Sequence, residues 1–480
     1  MKYLKNILWM GLLLAAITSC EKELTELKPI DQIPAEKAIL SMADLTSAVN
    51  GVYGTWSARR SVYISALISD EVRLGFGTEY RNVGNILFNW QFVSDSQDWR
   101  DAETGGVWTN LYAVIDRANR AIELGGANVP AVSATDIALK AQLIGELTAL
   151  RAMAHLELLK CYSITPEYSP SALGVVLQTS YVKNVAIYRP ARNTQKAVID
   201  AISADLIAAK ALIPNSFIDI GRVTRNAVIG AQVRVAMHIK DWPGVVDRAN
   251  EIIPLQPIST RANYTALWTT RALPANQTTE VIWKLNVSPA NAGAAIGSLF
   301  QDANNAQQAA PSAKLLNTYD QTNDIRFSTF FRTSPRNLIA KYGFLPSTGE
   351  TFLYDVKMMR TSEILLARAE AYAELNNLPA SNTDLSALRT NRIAAYVHVP
   401  LTTTPALVSA ILLERYKELC YEGQRYFDLR RRSIPITRDV SDIGGIATSQ
   451  TLPVTDIHYI LPIPLQEKQA NPNIEQNVGY

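Results

Sequence analysis

The chain has 480 residues, 48% of them hydrophobic, enough to bury one large core or two closely packed ones, so disorder over most of its length is excluded. Its 46 basic and 44 acidic side chains nearly cancel, and Arg430-Arg431-Arg432 is the only dense basic run, so strong attraction to nucleic acid or anionic lipid is not expected. Three cysteines supply neither a disulfide framework nor a cysteine metal site.

At the start, Lys2 and Lys5 precede an apolar run from Ile7 to Ile17, followed by Thr18, Ser19 and Cys20, the layout of an export signal. The 11 residues of that run fall short of the roughly 20 that span a bilayer as a helix. Ile17-Thr18-Ser19-Cys20 resembles the bacterial lipobox, in which the cysteine thiol is lipidated and becomes the first residue of the mature chain. On this reading residues 1–19 are a lipoprotein signal peptide and Cys20 is a membrane anchor; a plain signal peptide with a chance cysteine is the competing reading. Removing residues 1–19 takes away two lysines and no acid, leaving 44 basic against 44 acidic side chains.

From residue 36 onward the dominant signal is helical periodicity. Leu143, Leu147, Leu150, Ala154, Leu158 and Cys161 recur at spacings of four and three and line one helix face, with Arg151 and His155 on another. Thr194 is an N-cap for a helix through Val198, Ile202 and Leu206 that stops at Pro214. Another helix is predicted from about Thr224 to Ile239. Asp241-Trp242-Pro243 supplies a turn and a proline tolerated in the first turn of the next one. These first helices belong to an N-terminal region, residues 20–253. Residues 254–356, rich in Asn, Gln, Thr, Ser and Pro, read as loops and short irregular pieces. In "TSEILLARAEAYAEL" the apolar stripe returns with many alanines, which suits helical hairpins stacked closely in the tetratricopeptide manner. The prolines at 453, 462, 464 and 472 exclude a long terminal helix and predict an extended tail across the fold. The C-terminal region, residues 254–480, forms one compact unit with the N-terminal one.

Motifs that carry chemistry are mostly missing. No Walker loop, Gly-x-Ser-x-Gly elbow or His-Glu-x-x-His pair occurs. Gly75 and Gly77 lack the third glycine and the preceding strand of a dinucleotide site. His155, His238, His398 and His458 are scattered without ligand-like spacing, so no metal and no cofactor is expected. Paired carboxylates for glycoside hydrolysis stay open, because their separation is not readable from sequence. Cys161 and Cys420 read as two buried thiols, with a disulfide between them left open by the sequence. Glu414, Glu418 and Glu422, four apart, put three acids on one helix face. Arg415 and Arg425 are expected to pair with them in a partly buried network that locks the helix end against the tail, with Gly423 ending or bending the helix.

Two C-terminal stretches, "ERYKELCYEGQRYFDLRRR" at 414–432 and "LPIPLQEKQANPNIEQNVGY" at 461–480, resemble the signature of the SusD/RagB family. Further segments agree in order: "ADLTSAVNGVYGTW" from Ala43, "WTNLYAVIDRANRAIE" from Trp108, "GELTALRAMAHLELLKCY" from Gly145, "GRVTRNAVIGAQVRVAMHIKDW" from Gly221 and "MRTSEILLARAEAYAEL" from Met359. The resemblance spans nearly the whole mature chain. At Gly145–Ala152 it loosens, since the family's Glu-Ala-Arg-Phe-Leu-Arg-Ala run is shifted. It implies a mainly α, SusD-like fold in which tetratricopeptide-type hairpins form a scaffold beside a loop-rich ligand-binding part. It implies a non-enzymatic lipoprotein of the cell outer membrane that binds glycans and delivers them to a SusC-like TonB-dependent transporter. Glu21, Lys22 and Glu23 after Cys20 look like the surface-export signal of Bacteroidetes-type lipoproteins. The alternatives are a peptide-capturing RagB-like receptor and, less favoured, a cell-envelope glycoside hydrolase.

Sugars present flat apolar faces rimmed by hydroxyls, so a site for them combines exposed rings with amide or guanidinium donors. The richest stretch is "LGFGTEYRNVGNILFNWQFVSDSQDWRDAE", which supplies Phe76, Tyr80, Arg81, Asn82 and Trp99 as ligand-binding candidates. Tyr80 and Trp99, flanked by charges, lead; Trp90 and Trp108 have apolar neighbours and read as buried. A second candidate is Phe300 with Asn304, Asn305 and Gln307.

Overall fold

A computed structural model describes residues 37–74, 84–94, 102–276, 278–301, 308–334, 336–343, 352–443 and 449–480, without the side chains of 102–105 and 294. The longer helices are α1 (Met42–Thr55), α2 (Arg59–Ile68), α3 (Ala102–Asn128), α4 (Ala134–Tyr162), α5 (Gln195–Leu212), α6 (Arg225–Ile239), α7 (Trp242–Ile252), α8 (Thr361–Glu374), α9 (Leu378–Thr390), α10 (Thr404–Glu418) and α11 (Arg425–Arg430). Their starts follow from local chemistry. Ser41, Ser133, Thr194, Thr224, Asp241, Asn377 and Thr403 each accept a backbone N–H from the first turn they precede, satisfying a donor that the helix itself leaves unpaired.

Sequential helices pack as neighbours along the chain: α3 on α4, α4 on α5, α5 on α6, α6 on α7, α7 on α8, and α8 on both α9 and α10. This is the stacked-hairpin architecture that the periodicity predicted. Close approach relies on small residues. Ala367, Ala369, Ala371 and Ala373 of α8 are all buried. At Gly230 of α6 an added Cβ would lie 2.1 Å from the sulfur of Met359, so any larger residue would have to push that side chain aside. One large core runs through both halves of the chain, and a smaller one, including Leu366, Leu385, Leu388 and Ile411, fills the space among α8, α9 and α10. Among the described residues, no helix is long and apolar enough to cross a membrane.

The middle of the chain holds more order than its composition suggested. Strands β1 (Val72–Arg73), β2 (Val281–Leu285), β3 (Ala310–Pro311), β4 (Phe331–Arg332), β5 (Leu338–Ile339) and β6 (Val356–Arg360) form three antiparallel pairs, β1–β3, β2–β6 and β4–β5. All five residues of β2 are buried, so it lacks the polar alternation that reveals a half-exposed strand. The C-terminal tail is extended apart from a 3-10 turn at Ile457–Tyr459 and a six-residue helix, Leu465–Ala470, and lies against the N-terminal half. There Arg192 donates to the Glu475 carbonyl and to Asn477 Oδ1, both at 2.9 Å.

Candidate functional site

The C-terminal signature was the first place to look for chemistry, and its acids are occupied structurally. Glu418, with no exposed surface, is met by Arg326 at 3.2 Å, Arg360 at 2.8 Å and Arg392 at 3.1 Å. Burial alone would raise this carboxyl; Arg392, Arg360 and Arg326 together hold it well below the usual carboxylate range. Glu414 pairs with Arg326 and Arg389, each at 2.7 Å, and Glu422 with Lys341 at 2.7 Å and Arg360 at 2.6 Å. The expected partners are therefore corrected. Arg415 turns to Asp428 at 2.8 Å and Arg425 to Asp70 at 2.7 Å. Successive helical residues are rotated by about 100°, so Arg415 does not share the face of Glu414 and Glu418. The helix also stops earlier than Gly423: α10 ends at Glu418, and Tyr421 and Gly423 both take left-handed backbone, at φ 59° and 75°. The network fastens the middle region to α10, not the tail.

Cys161 and Cys420 are buried free thiols, each pushed up to about 12 by burial. His155 and His238 are buried, while His458 bonds Asp456 Oδ1 at 2.8 Å and His398 bonds Asn382 Oδ1 at 3.0 Å. Among the described residues no group of three or more His, Cys, Asp or Glu is placed to hold a metal ion.

The loop-bearing face is organised around β1–β3. Arg73 pairs with Ala310 and Val72 with Pro311, so the chain leaves β1 toward 75–83 beside the point where it enters β3 from 302–307. Gln301 donates to the Ile339 carbonyl at 2.8 Å, binding the same layer to β5. Asp442 accepts the backbone N–H groups of Ala313 and Lys314 at 2.6 and 3.1 Å, which brings the border of 444–448 to this face. Of the sequence candidates, Cys20, Phe76, Tyr80, Arg81, Asn82 and Trp99 lie outside the described residues, as do Asn304, Asn305 and Gln307. Phe300 is described and is 1% exposed, its ring 5.2 Å from that of Tyr421. It offers no surface to a ligand, because its ring fills an apolar layer with Phe331 and Tyr421, and its described polar neighbour Gln301 is itself buried. Trp90 and Trp108 are buried, as their neighbours predicted.

A cleft of about 330 Å³ opens where the end of α1 meets the end of β2 and the turn at Pro289–Ala294, lined by Tyr53, Gly54, Trp56, Ser57, Gly221, Asn286, Asn291 and Gly293. Tyr53 is anchored from behind, donating to Glu146 Oε2 and accepting from the Val223 N–H, each at 2.7 Å. Trp56 stands edge-on to Trp283 with centroids 5.5 Å apart. Asn291 is fixed by bonds to the Asn286 carbonyl and the Ser288 N–H. The side-chain amide of the exposed Asn286 has no partner among the described residues, so a donor and an acceptor face the cleft. Trp56 is buried in the core behind the cleft, so the chemistry on offer is the half-buried ring of Tyr53 beside an uncommitted amide. Sequence reading missed these residues, since Tyr53 and Trp56 belong to a helical segment and Asn286 to a run read only as loop. A larger groove of about 880 Å³ beside α9 is lined by Leu378, Pro379, Asn382, His398 and Leu401, without Tyr, Trp or Phe.

Comparison with known proteins agrees with this architecture over both halves. A sequence profile described as the SusD family matches residues 260–480, and one described as "Starch-binding associating with outer membrane" matches residues 27–237. The chain belongs to the SusD/RagB family. Among its relatives, SusD-like protein P25 of Formosa agariphila is 22% identical, with 99% of each chain covered. A SusD superfamily structure from Bacteroides vulgatus superposes with a TM-score of 0.78 at 21% identity, covering 92% of this chain and 99% of that one. A putative sugar binding protein from the same organism superposes with a TM-score of 0.77 at 20% identity, covering 92% and 99%. These likenesses establish the mainly α SusD-like fold, and the second profile's description ties the family to the outer membrane.

Proposed function

We propose that this SusD/RagB member is a glycan-binding receptor, not an enzyme, tethered to the outer membrane through Cys20 and working with a SusC-like TonB-dependent transporter. The observation that carries the reading is the cleft that sets the half-buried ring of Tyr53 beside the open amide of Asn286. Its volume of about 330 Å³ suits a small ligand, and its chemistry matches a sugar: an apolar sugar face against the Tyr53 ring, hydroxyls on the amide. Tyr80, Arg81, Asn82 and Trp99, which lie outside the described residues, are further candidates read from the sequence. A lipid tether keeps such a receptor near its transporter and raises their effective concentration.

The test is a binding screen of residues 21–480, by calorimetry and affinity electrophoresis, against a panel of polysaccharides and a peptide digest. Asn286→Ala removes the amide. Gly293→Leu fills the cleft, since an added Cβ at Gly293 meets nothing within 4 Å. Trp99→Ala and Tyr80→Ala test the sequence candidates. Saturable binding of one glycan without its breakdown, weakened about tenfold or more by the cleft substitutions, is expected; such a loss corresponds to about 1.4 kcal/mol. Glycan turnover, or binding of peptides alone, overturns the receptor reading, and glycan binding untouched by either cleft substitution removes this cleft from it.

A further inference from the structure

The C-terminal signature also walls a second, smaller cavity of about 50 Å³ between α6, α8, α10 and α11. A single water needs about 10–15 Å³ of such space, so there is room for a group of several heavy atoms. Five cations line it, Lys160, Arg234, Arg415, Arg430 and Arg431, against two carboxylates, Glu363 and Asp428. Most of these charges are answered: Lys160 by Glu157, Arg234 by Glu363, Arg415 by Asp428, and Arg431 by Asp428 and Glu370. Arg430 is the exception. It is 2% exposed, lies beside the ring of Tyr426 and donates to the carbonyls of Lys160, Cys161, Ser163 and Thr165 at and beyond the end of α4, with no carboxylate at ion-pair distance among the described residues. A helix C-terminus supplies about half a negative charge, which leaves this guanidinium partly uncompensated.

Three buried nitrogens of lining residues have no hydrogen-bond partner among the described residues: Arg430 Nε, Arg415 Nη1 and His238 Nε2. Their residues are 2%, 5% and 9% exposed. Leaving three polar groups unpaired in the interior is costly, most of all for the charged ones. Burial, with Lys160, Arg430 and Arg431 nearby, pushes His238 down to about 3, so its imidazole stays neutral and can present an N–H from Nε2 without adding a charge. A cavity under positive potential with three open nitrogens is complementary to an anion with several acceptor oxygens.

We propose that this cavity is a binding site for one tetrahedral oxyanion, sulfate or inorganic phosphate, held by Arg430 Nε, Arg415 Nη1 and His238 Nε2. The anion neutralises Arg430 and joins α6, α10 and α11 at the end of α4. Its role is structural and separate from the glycan cleft, so it does not depend on that assignment.

The test is calorimetric titration of the purified protein with sodium sulfate and with sodium phosphate, against sodium chloride at equal ionic strength, alongside selenate soaks read by anomalous diffraction. Arg415→Lys is the decisive variant, because lysine can keep the ion pair with Asp428 while losing the Nη1 donor; Arg430→Met, which also uncaps α4, is the stronger but riskier one. One-to-one binding at millimolar or lower concentration, a selenate peak among the three nitrogens and at least a tenfold weaker affinity in Arg415→Lys are expected. A response equal to that of chloride, an unchanged affinity in Arg415→Lys, or a cavity holding only water in the soaked crystal overturns the proposal.

Discussion

Arg425 grips both carboxylate oxygens of Asp70, at 2.7 and 2.9 Å, across 355 residues of chain. Asp70 is buried and also receives Lys314 at 2.8 Å. Burial would raise its carboxyl, but Arg425 and Lys314 hold it well below the ordinary range. Through this pair the C-terminal signature fixes the start of β1, so the motif is a structural clamp between α11 and the segment that enters β1.

The clamp can be tested directly. Arg425→Met leaves Asp70 half answered in the interior and is expected to lower stability by about 3–5 kcal/mol. The double variant with Asp70→Asn removes the stranded charge and is expected to recover more than half of that loss. Urea denaturation of the three proteins measures it; a loss in the single variant no larger than the ~1 kcal/mol of a surface pair contradicts the clamp.

Much of this architecture was readable because the rules that write it are local. Thr194, Thr224 and Asp241 announce helix starts through a side-chain bond to a backbone N–H three residues away. The pairing of β2 with β6 was not readable, since a fully buried strand has no alternation and its partner lies about 75 residues later. The partners of Glu418 were hidden for the same reason, as Arg326, Arg360 and Arg392 arrive from three separate segments. Phe300 misled because its polar neighbours suggested a loop, while the ring itself sits between chain segments that only folding brings together. The cleft escaped notice because Tyr53 and Asn286 meet through tertiary packing alone.

Glu71 predicts a loss of stability as the pH rises from about 4.5 to 8. Burial pushes its carboxyl up to about 8; the Tyr421 N–H opposes and the Asp70 charge adds to this. Unfolded, the group ionises near 4.5. The folded state therefore binds the extra proton between about pH 4.5 and 8, and this contribution falls as pH rises through that window, by about 1.4 kcal/mol per pH unit. Glu71→Gln keeps an acceptor for the Tyr421 N–H and cannot ionise. Denaturation at pH 6 and pH 8 is expected to show a smaller drop for the variant; equal drops refute the assignment.

His155 predicts the opposite at acid pH. Its Nδ1 donates to the Arg151 carbonyl at 2.9 Å and its Nε2 accepts the Gln178 N–H at 3.2 Å, so both nitrogens are engaged only in the neutral form. Burial, with Arg151 near, pushes the imidazole down to about 4. Between pH 6.5 and 4 the unfolded chain binds a proton that the folded one refuses, so stability is full above about 6.5 and falls as the pH drops through this range. His155→Gln can imitate both bonds without protonating. Its stability is expected to decline less steeply below pH 6, as thermal unfolding between pH 7 and 4.5 checks.

Arg438 separates geometry from charge. It is buried and has no ion-pair partner among the described residues, yet its fork reaches the carbonyls of Leu67, Ile68, Ser69 and Phe88 at 2.6–3.2 Å. The guanidinium lies 3.8 Å from the ring centre of Phe88 and 4.1 Å from that of Trp90. It thus closes the end of α2 and holds residues 84–94 against it. Lysine keeps the positive charge but offers three donors from one point, not a planar fork, and does not stack. Arg438→Lys is expected to lose about 2–4 kcal/mol, close to the loss in Arg438→Met, because at least two carbonyls lose their donors in either case. Hydrogen exchange at residues 84–94 is expected to rise in both variants. If lysine restored stability while methionine did not, positive charge alone would hold this segment, and the reading of Arg438 as a shaped cap would fail.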